Sequence, residues 1–352
     1  MFYREAGQFK TSYQSDNSIF PILQDRVGVL LALIGFFVVV PLFATPYLFA
    51  AILIPFLIFS LAAIGLNILT GYAGQLSLGT AAFMAVGAFS AYNFVLRIPG
   101  IPMLLAFALG GVCAALVGVA FGLPSLRIRG FYLAVTTLAM QFFVLWCITK
   151  IPWITNYSPS GVIRVQPVQI LGYTFESQAS RYLLTLSIVT VMALAAKNMV
   201  RTNLGRSWMA IRDMDVAAEV IGFRPLQTKL TAFAISAFYC GVAGALFAYA
   251  YLGTVEPEAY SLDLSFRILF MIIIGGMGSI LGAFLGAAFM TLLPIGLSMV
   301  VKHLSLPMTL ASNLELMIFG LLIIFFLIVE PHGLARLWQI TKEKLRLWPF
   351  PH

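Results

Sequence analysis

Three histidines (His303, His332 and His352), three cysteines (Cys113, Cys147 and Cys240) and 13 acidic residues are the groups here for metal, redox or acid–base chemistry. The histidines form no cluster, and no H-E-x-x-H motif exists. The cysteines sit in apolar segments without metal or redox spacing, so they read as small buried hydrophobes. No G-x-x-x-x-G-K-[ST] phosphate loop occurs, so any ATP chemistry must belong to another chain. What remains are glycines and uncharged polar residues inside apolar runs. The first group is Asn67, Gly71, Tyr72, Gly74, Gln75, Ser77 and Gly79. The second is Gly275, Gly276, Gly278 and Ser279. Such residues either let helices pack closely and turn, or break a helix at membrane depth and line a translocation path. Thr136, Thr137 and Gln141 form a third group, with residues 137 and 141 on one helical face. They join the candidate path residues, although interhelical hydrogen bonding, worth about 0.6 kcal/mol on average, is the simpler role.

The segment 200–229 is the most informative polar stretch. Met209, Val216, Val220 and Phe223 give partial helical spacing. Asp213 or Asp215 can cap a second short helix, which Gly222 can end, with Pro225 soon after. This predicts a short amphipathic unit that either lies on lipid or docks a partner.

The elements that position these groups follow from charge-free runs. A bilayer core needs roughly 20 apolar residues per helix. No charged residue lies between Arg26 and Arg97. Breaks at Pro41–Pro46 and Thr70–Thr80 divide that run into helices at about 27–43, 47–69 and 80–96. Further helices are expected at about 103–123, 131–149, 181–199, 230–251, 265–280, 282–301 and 313–329, with a loop over 150–180. The segments around Gly275–Gly282 could be re-entrant rather than spanning. The expectation is an all-α, polytopic membrane bundle of about ten transmembrane helices. Its parts are an N-terminal tail (1–26), a transmembrane domain (27–329, including 200–229) and a basic tail (330–352).

Composition fits this. Of 352 residues, 61% are hydrophobic and 10% charged, against about 25% charged in soluble domains. The net charge of +8 does not call for nucleic acid. With both termini in the cytoplasm, 15 of the 21 Lys and Arg fall inside, as the positive-inside rule requires. The N-terminal residues are polar and do not form a signal peptide. The segments 71–79 and 275–282 each precede a small-residue helix, hinting at an inverted repeat of residues 47–149 and 230–329.

Several segments resemble permease subunits (M-type) of branched-chain amino-acid ABC importers. They are Gly71-Tyr-Ala-Gly-Gln-Leu-Ser-Leu-Gly79, Leu126-Arg-Ile-Arg-Gly-Phe-Tyr-Leu-Ala134, Gly205–Asp213 through Ala217–Gly222, Gly253–Glu258 and Ile274–Ile280. The likeness covers about residues 50–330. It implies a bacterial inner-membrane protein that is not an enzyme. The implied partners are a second homologous permease, two cytoplasmic ATPase subunits and a periplasmic binding protein. No cofactor is then bound by this chain, ATP and Mg lying on the ATPase subunits. The resemblance further implies an ATPase-coupling segment comprising Gly205, Met209, Ala210, Ile211, Arg212, Asp213, Ala217, Ala218 and Gly222. The family pattern is loose here, since Val216 precedes the Ala pair where some relatives have Glu or Asp. Leucine, isoleucine and valine are the expected solutes, with urea or short amides as the alternative. A secondary carrier or channel is a different class, and the scarcity of ionisable groups inside the helices counts against it. A membrane-embedded enzyme lacks any suitable cluster.

Overall fold

The computed structural model describes residues 11–12, 23–125, 131–170, 173–303 and 333–347, with single residues between 314 and 328. Most of the N-terminal tail, the 126–130 part of the Leu126–Ala134 motif and seven of the 17 residues of the helix expected at 313–329 lie outside the described residues.

Helix α1 (Leu23–Ile34) continues through a π-helical turn to Phe43. The chain then breaks at Ala44 and Thr45, both extended, as residues flanking a following proline tend to be. Pro46 opens the next helical run, whose main part is α2 (Ile54–Asn67), and a π-helical turn, Ile68–Tyr72, ends it. Then come α3 (Thr80–Arg97), α4 (Met103–Ser125) and α5 (Phe131–Lys150). The loop after α5 carries β1 (Ile163–Arg164) and a hairpin of β2 (Gln169–Ile170) and β3 (Tyr173–Thr174). Helix α6 (Gln178–Arg201) leads to two short helices, α7 (Asn203–Asp213) and α8 (Asp215–Val220). Helix α9 (Pro225–Leu246) extends through a π-helical turn, Phe247–Leu252. Strand β4 (Thr254–Val255) pairs antiparallel with β1, Ile163 opposite Val255. Helices α10 (Leu262–Gly275), α11 (Ile280–His303) and α12 (Gly333–Leu347) complete the described chain. Nine of the ten expected helices thus have a counterpart, with ends displaced by at most five residues.

Among the described residues, seven helices are long and apolar enough to cross a membrane, and α3 and α10 are not among them. The protein is a polytopic helical bundle. Lipid tails offer no hydrophobic drive for helix association, so close packing must supply it. At the heart of the bundle α3, α4 and α9 meet through glycines. A methyl group on Gly87 would overlap the Gly241 backbone, and one on Gly244 would overlap that of Met84. Phe83 and Phe233 meet edge to face nearby, with ring centroids 6.0 Å apart.

Two interruptions set the architecture. Both α2 and α9 end in a π-helical turn followed within two residues by a left-handed glycine, Gly74 (φ 68°) and Gly253 (φ 73°). Each leads out of α-helix, after α9 through β4 and a 3-10 turn at Pro257–Tyr260, to a helix that begins inside the bundle. Gln141, the eleventh of the 20 residues of α5, marks the level. Its Oε1 accepts from the Ala82 N–H at 2.7 Å and from the Ser265 hydroxyl at 3.3 Å. Its Nε2 donates to the Tyr260 carbonyl at 2.9 Å. Ser265 Oγ accepts from the Ala81 N–H at 2.9 Å. The starts of α3 and α10 are therefore tied together at mid-height.

Gln141→Leu should leave the Ala82 N–H and the Tyr260 carbonyl unpaired. Each such group costs about 1–3 kcal/mol. Thermal unfolding of the purified protein should show a lower midpoint, and an unchanged midpoint would rule out the capping role.

Candidate functional site

The two glycine-rich stretches lie far apart in sequence and meet at the end of the bundle that carries α7 and α8. Asn67, near the end of α2, makes the junction. Its Oδ1 accepts from the Gly278 N–H and its Nδ2 donates to the Ser279 carbonyl, both at 2.8 Å. Gly71 packs against the Gly278 backbone so closely that a Cβ there would overlap it. The turn between α10 and α11 can take this shape because Gly276 (φ 115°) and Gly278 (φ 77°) are left-handed. Gly275, the last residue of α10, lies against Gly282. Ser279 Oγ accepts from the Gly282 N–H at 3.1 Å, capping α11.

The α7–α8 unit is fastened to this junction. Arg212, at the end of α7, donates from Nη1 to the Gly71 carbonyl at 2.9 Å. The side chain crosses Gly74, where any Cβ would sit 2.8 Å from Arg212 Cγ, and Nη1 lies 3.5 Å from the Cβ position of Gly278. Asp213 pairs with the same guanidinium at 2.9 Å. Fully buried Trp208 anchors α7 and donates to Thr231 Oγ1 on α9 at 3.2 Å. Ile211 and Ala218 are buried as well, and Gly205 abuts the Val200 carbonyl. Lys229 on α9 holds Asp215 at 3.8 Å. Met209 and Ala210 are half-buried, and Ala217 is exposed. Met214, not an aspartate, is the N-cap of α8, with Asp215 in its first turn. Gly222 ends the unit in a left-handed conformation (φ 104°).

The outward side of this unit is apolar. Met214, Val216, Val220 and Ile221 are 66–84% exposed. Sequence spacing picks out Val216 and Val220. It misses Met214 and Ile221, which join them only because α8 starts at a sharp break. A cleft of about 600 Å³ separates the unit from the Gly74–Gln75 turn, lined by Arg212, Asp215, Ala217, Val220 and Lys229.

The remaining candidates lie elsewhere. Tyr72 and Ser77 are buried, and Ser77 Oγ accepts from the Gly79 N–H at 3.3 Å. Gln75 closes its own turn, its carbonyl accepting from Thr70 Oγ1 at 3.1 Å. Thr137 Oγ1 accepts from the Leu78 N–H at 3.0 Å, so Thr137 and Gln141 both serve the approach to α3. Thr136 bonds only within its own helix, to the Tyr132 carbonyl at 2.9 Å.

Comparison with known proteins is decisive once this geometry is set out. The family described as "Branched-chain amino acid transport system / permease component" matches residues 48–327. The chain belongs to this family. It is 30% identical to the high-affinity branched-chain amino acid transport system permease protein LivM of Escherichia coli (strain K12), over 83% of this chain and 70% of that one. It is 24% identical to a probable LivM of Methanocaldococcus jannaschii, over 82% of this chain and 93% of that one. A shorter match, 27% over 54% of each chain, is to the autoinducer 2 import system permease protein LsrC of an Enterobacter species. No solved structure matches. The chain is thus a multi-pass membrane permease subunit of the ABC transporter class and not an enzyme.

Asn67→Leu removes both bonds of the junction. Hydrogen exchange at the Gly278 amide should then accelerate, by about tenfold for each 1.4 kcal/mol lost. An unchanged rate would show that Asn67 does not hold the turn.

Proposed function

We propose that this chain is the M-type permease subunit of an importer that carries leucine, isoleucine and valine into the cytoplasm, driven by ATP hydrolysed on partner subunits. The reading rests first on one observation. An exposed apolar surface on α8 is tied through Arg212 to the Gly71 carbonyl at the end of α2, and Gly71 packs against Gly278 of the α10–α11 turn. A partner seated on Met214, Val216, Val220 and Ile221 would press on both turns through a single guanidinium. The names of the relatives favour branched-chain amino acids as the solute.

In this reading the α7–α8 unit docks a cytoplasmic ATPase subunit, which carries ATP and Mg. A second homologous permease, a second ATPase and a periplasmic binding protein complete the assembly in the bacterial inner membrane. Ten crossings with both termini in the cytoplasm follow, the tenth at 313–329. Residues 47–149 and 230–329 form an inverted repeat, supported by the matching π-helical ends of α2 and α9 and the part-height starts of α3 and α10. The translocation path runs along the glycine turns and α10. Asp263 and Arg267 are exposed on the first two turns of α10, at a level where a charge facing hydrocarbon is costly. That face of α10 therefore borders water or another subunit.

Uptake of labelled leucine in cells with and without this chain tests the reading. Uptake should fall on deletion and be competed by isoleucine but not by urea. Untouched leucine uptake would refute the solute. A second test addresses docking. Val220→Glu places a charge on the apolar surface and should cut ATPase co-purification and uptake at least ~10-fold, as loss of a hot-spot contact does. Normal co-purification would refute the docking surface.

A further inference from the structure

Helix α10 carries two opposite charges inside the bundle, Asp263 and Arg267, and both side chains are exposed. They precede Gly275, the last residue of α10, by 12 and 8 residues. At 1.5 Å per residue they lie about 18 and 12 Å from that end, in a hydrocarbon core roughly 30 Å thick. Ser265, between them, is bonded to Gln141 near the middle of α5, which gives the same level. The two charges therefore flank the centre of the membrane, where ionisable groups face protein or water and mark routes for solutes. Residues 263, 266, 267 and 270 share one face of the helix, at i, i+3, i+4 and i+7. The opposite side, with Leu264, Ser265, Ile268 and Leu269, is buried. Phe266 and Phe270 are half-buried and stack on the open face, with ring centroids 6.1 Å apart and 15° between the planes.

An amino acid carries an ammonium and a carboxylate on one carbon, and neither charge can cross the membrane centre uncompensated. Side chains one helical turn apart have Cβ atoms about 5–6 Å apart. An acid and a base so placed can hold both ends of one zwitterion. We propose that Asp263 and Arg267 form a solute contact in the translocation path, with the ammonium on Asp263, the carboxylate on Arg267 and the aliphatic side chain over Phe266 and Phe270. The proposal rests on the branched-chain reading above and assigns this chain its own contact with the solute. Urea has no charge to place on either residue. Acyl chains offer neither charge a partner, and an apolar subunit face would desolvate both without return.

A thiol between the two charges reports on the site. Phe266→Cys is made in the assembled transporter, in nanodiscs with its binding protein, and treated with a charged, water-soluble thiosulfonate while mass spectrometry follows each cysteine. Phe270→Cys is the second reporter if the first variant does not assemble. The introduced thiol should react, and saturating leucine should slow the reaction at least ~10-fold, the factor set by occupancy. Buried Cys240 should stay unlabelled throughout. Asp263→Asn and Arg267→Gln should each abolish the protection and raise the leucine KM at least ~10-fold, as loss of a charge-assisted bond predicts. The double exchange Asp263→Arg with Arg267→Asp should regain part of both, because a zwitterion can bind end for end. Leucine transport with equal labelling in the presence and absence of leucine overturns the site and leaves the transport reading standing. A thiol that reacts in this chain alone but not in the assembled, solute-free transporter gives the face to the second permease and overturns the proposal. Protection by urea, with no leucine uptake by the wild type, overturns both readings.

Discussion

Every backbone N–H and C=O removed from water in a membrane must find its partner inside the protein. This chain leaves α-helical geometry inside its bundle over residues 73–79 and 253–261, the latter holding a 3-10 turn at Pro257–Tyr260, and side chains supply part of the partners there. Gln141, Ser265 and Thr137 cover the start of α3, and Gln141 also holds the Tyr260 carbonyl before α10. Remove this set and neither short helix has a satisfied beginning. Gly79 acts alongside it, since a Cβ there would overlap the Thr137 carbonyl and Met140, so only glycine lets the stretch before α3 lie this close to α5.

The function grows from the same economy of parts. Because α10 starts partway along the bundle, it ends where α2 ends, and the two turns can touch. Asn67 joins them with one donor and one acceptor. Arg212 then fastens the α7–α8 unit to the joined turns through the Gly71 carbonyl. Trp208 and the Lys229–Asp215 pair hold that unit against α6 and α9 without covering its apolar side. The exposed side of α8 is thus bonded to the bundle through Arg212 at the glycine turns and through Trp208 and Asp215 at α9.

The helices were legible in the sequence because a membrane helix must be apolar for its whole length. Charge-free runs bounded by Arg26, Arg97 and Arg127 can hold little else. The glycine stretches were legible as breaks, and Gly222 and Pro225 as the end of the α8 unit. The meeting of Gly71 with Gly278 was not, because glycines report that something comes close without saying what. Thr137 and Gln141 read as one face of a helix, yet their partners on α3 and α10 lie outside any local pattern.

If Arg212 and Asn67 do bind α8 and the α10–α11 turn into one body, that body should move as a unit through the nucleotide cycle. Spin labels at the exposed positions Val216 and Met277 report its internal distance. A third label at exposed Leu104, at the opposite end of α4 from Ser125, gives a reference. Distances measured in the assembled transporter, nucleotide-free and ATP-trapped, should show an unchanged 216–277 separation while both positions shift relative to 104. A 216–277 separation that changes between the two states would mean that the docking surface and the glycine turns move independently, and would contradict a coupling route through Arg212.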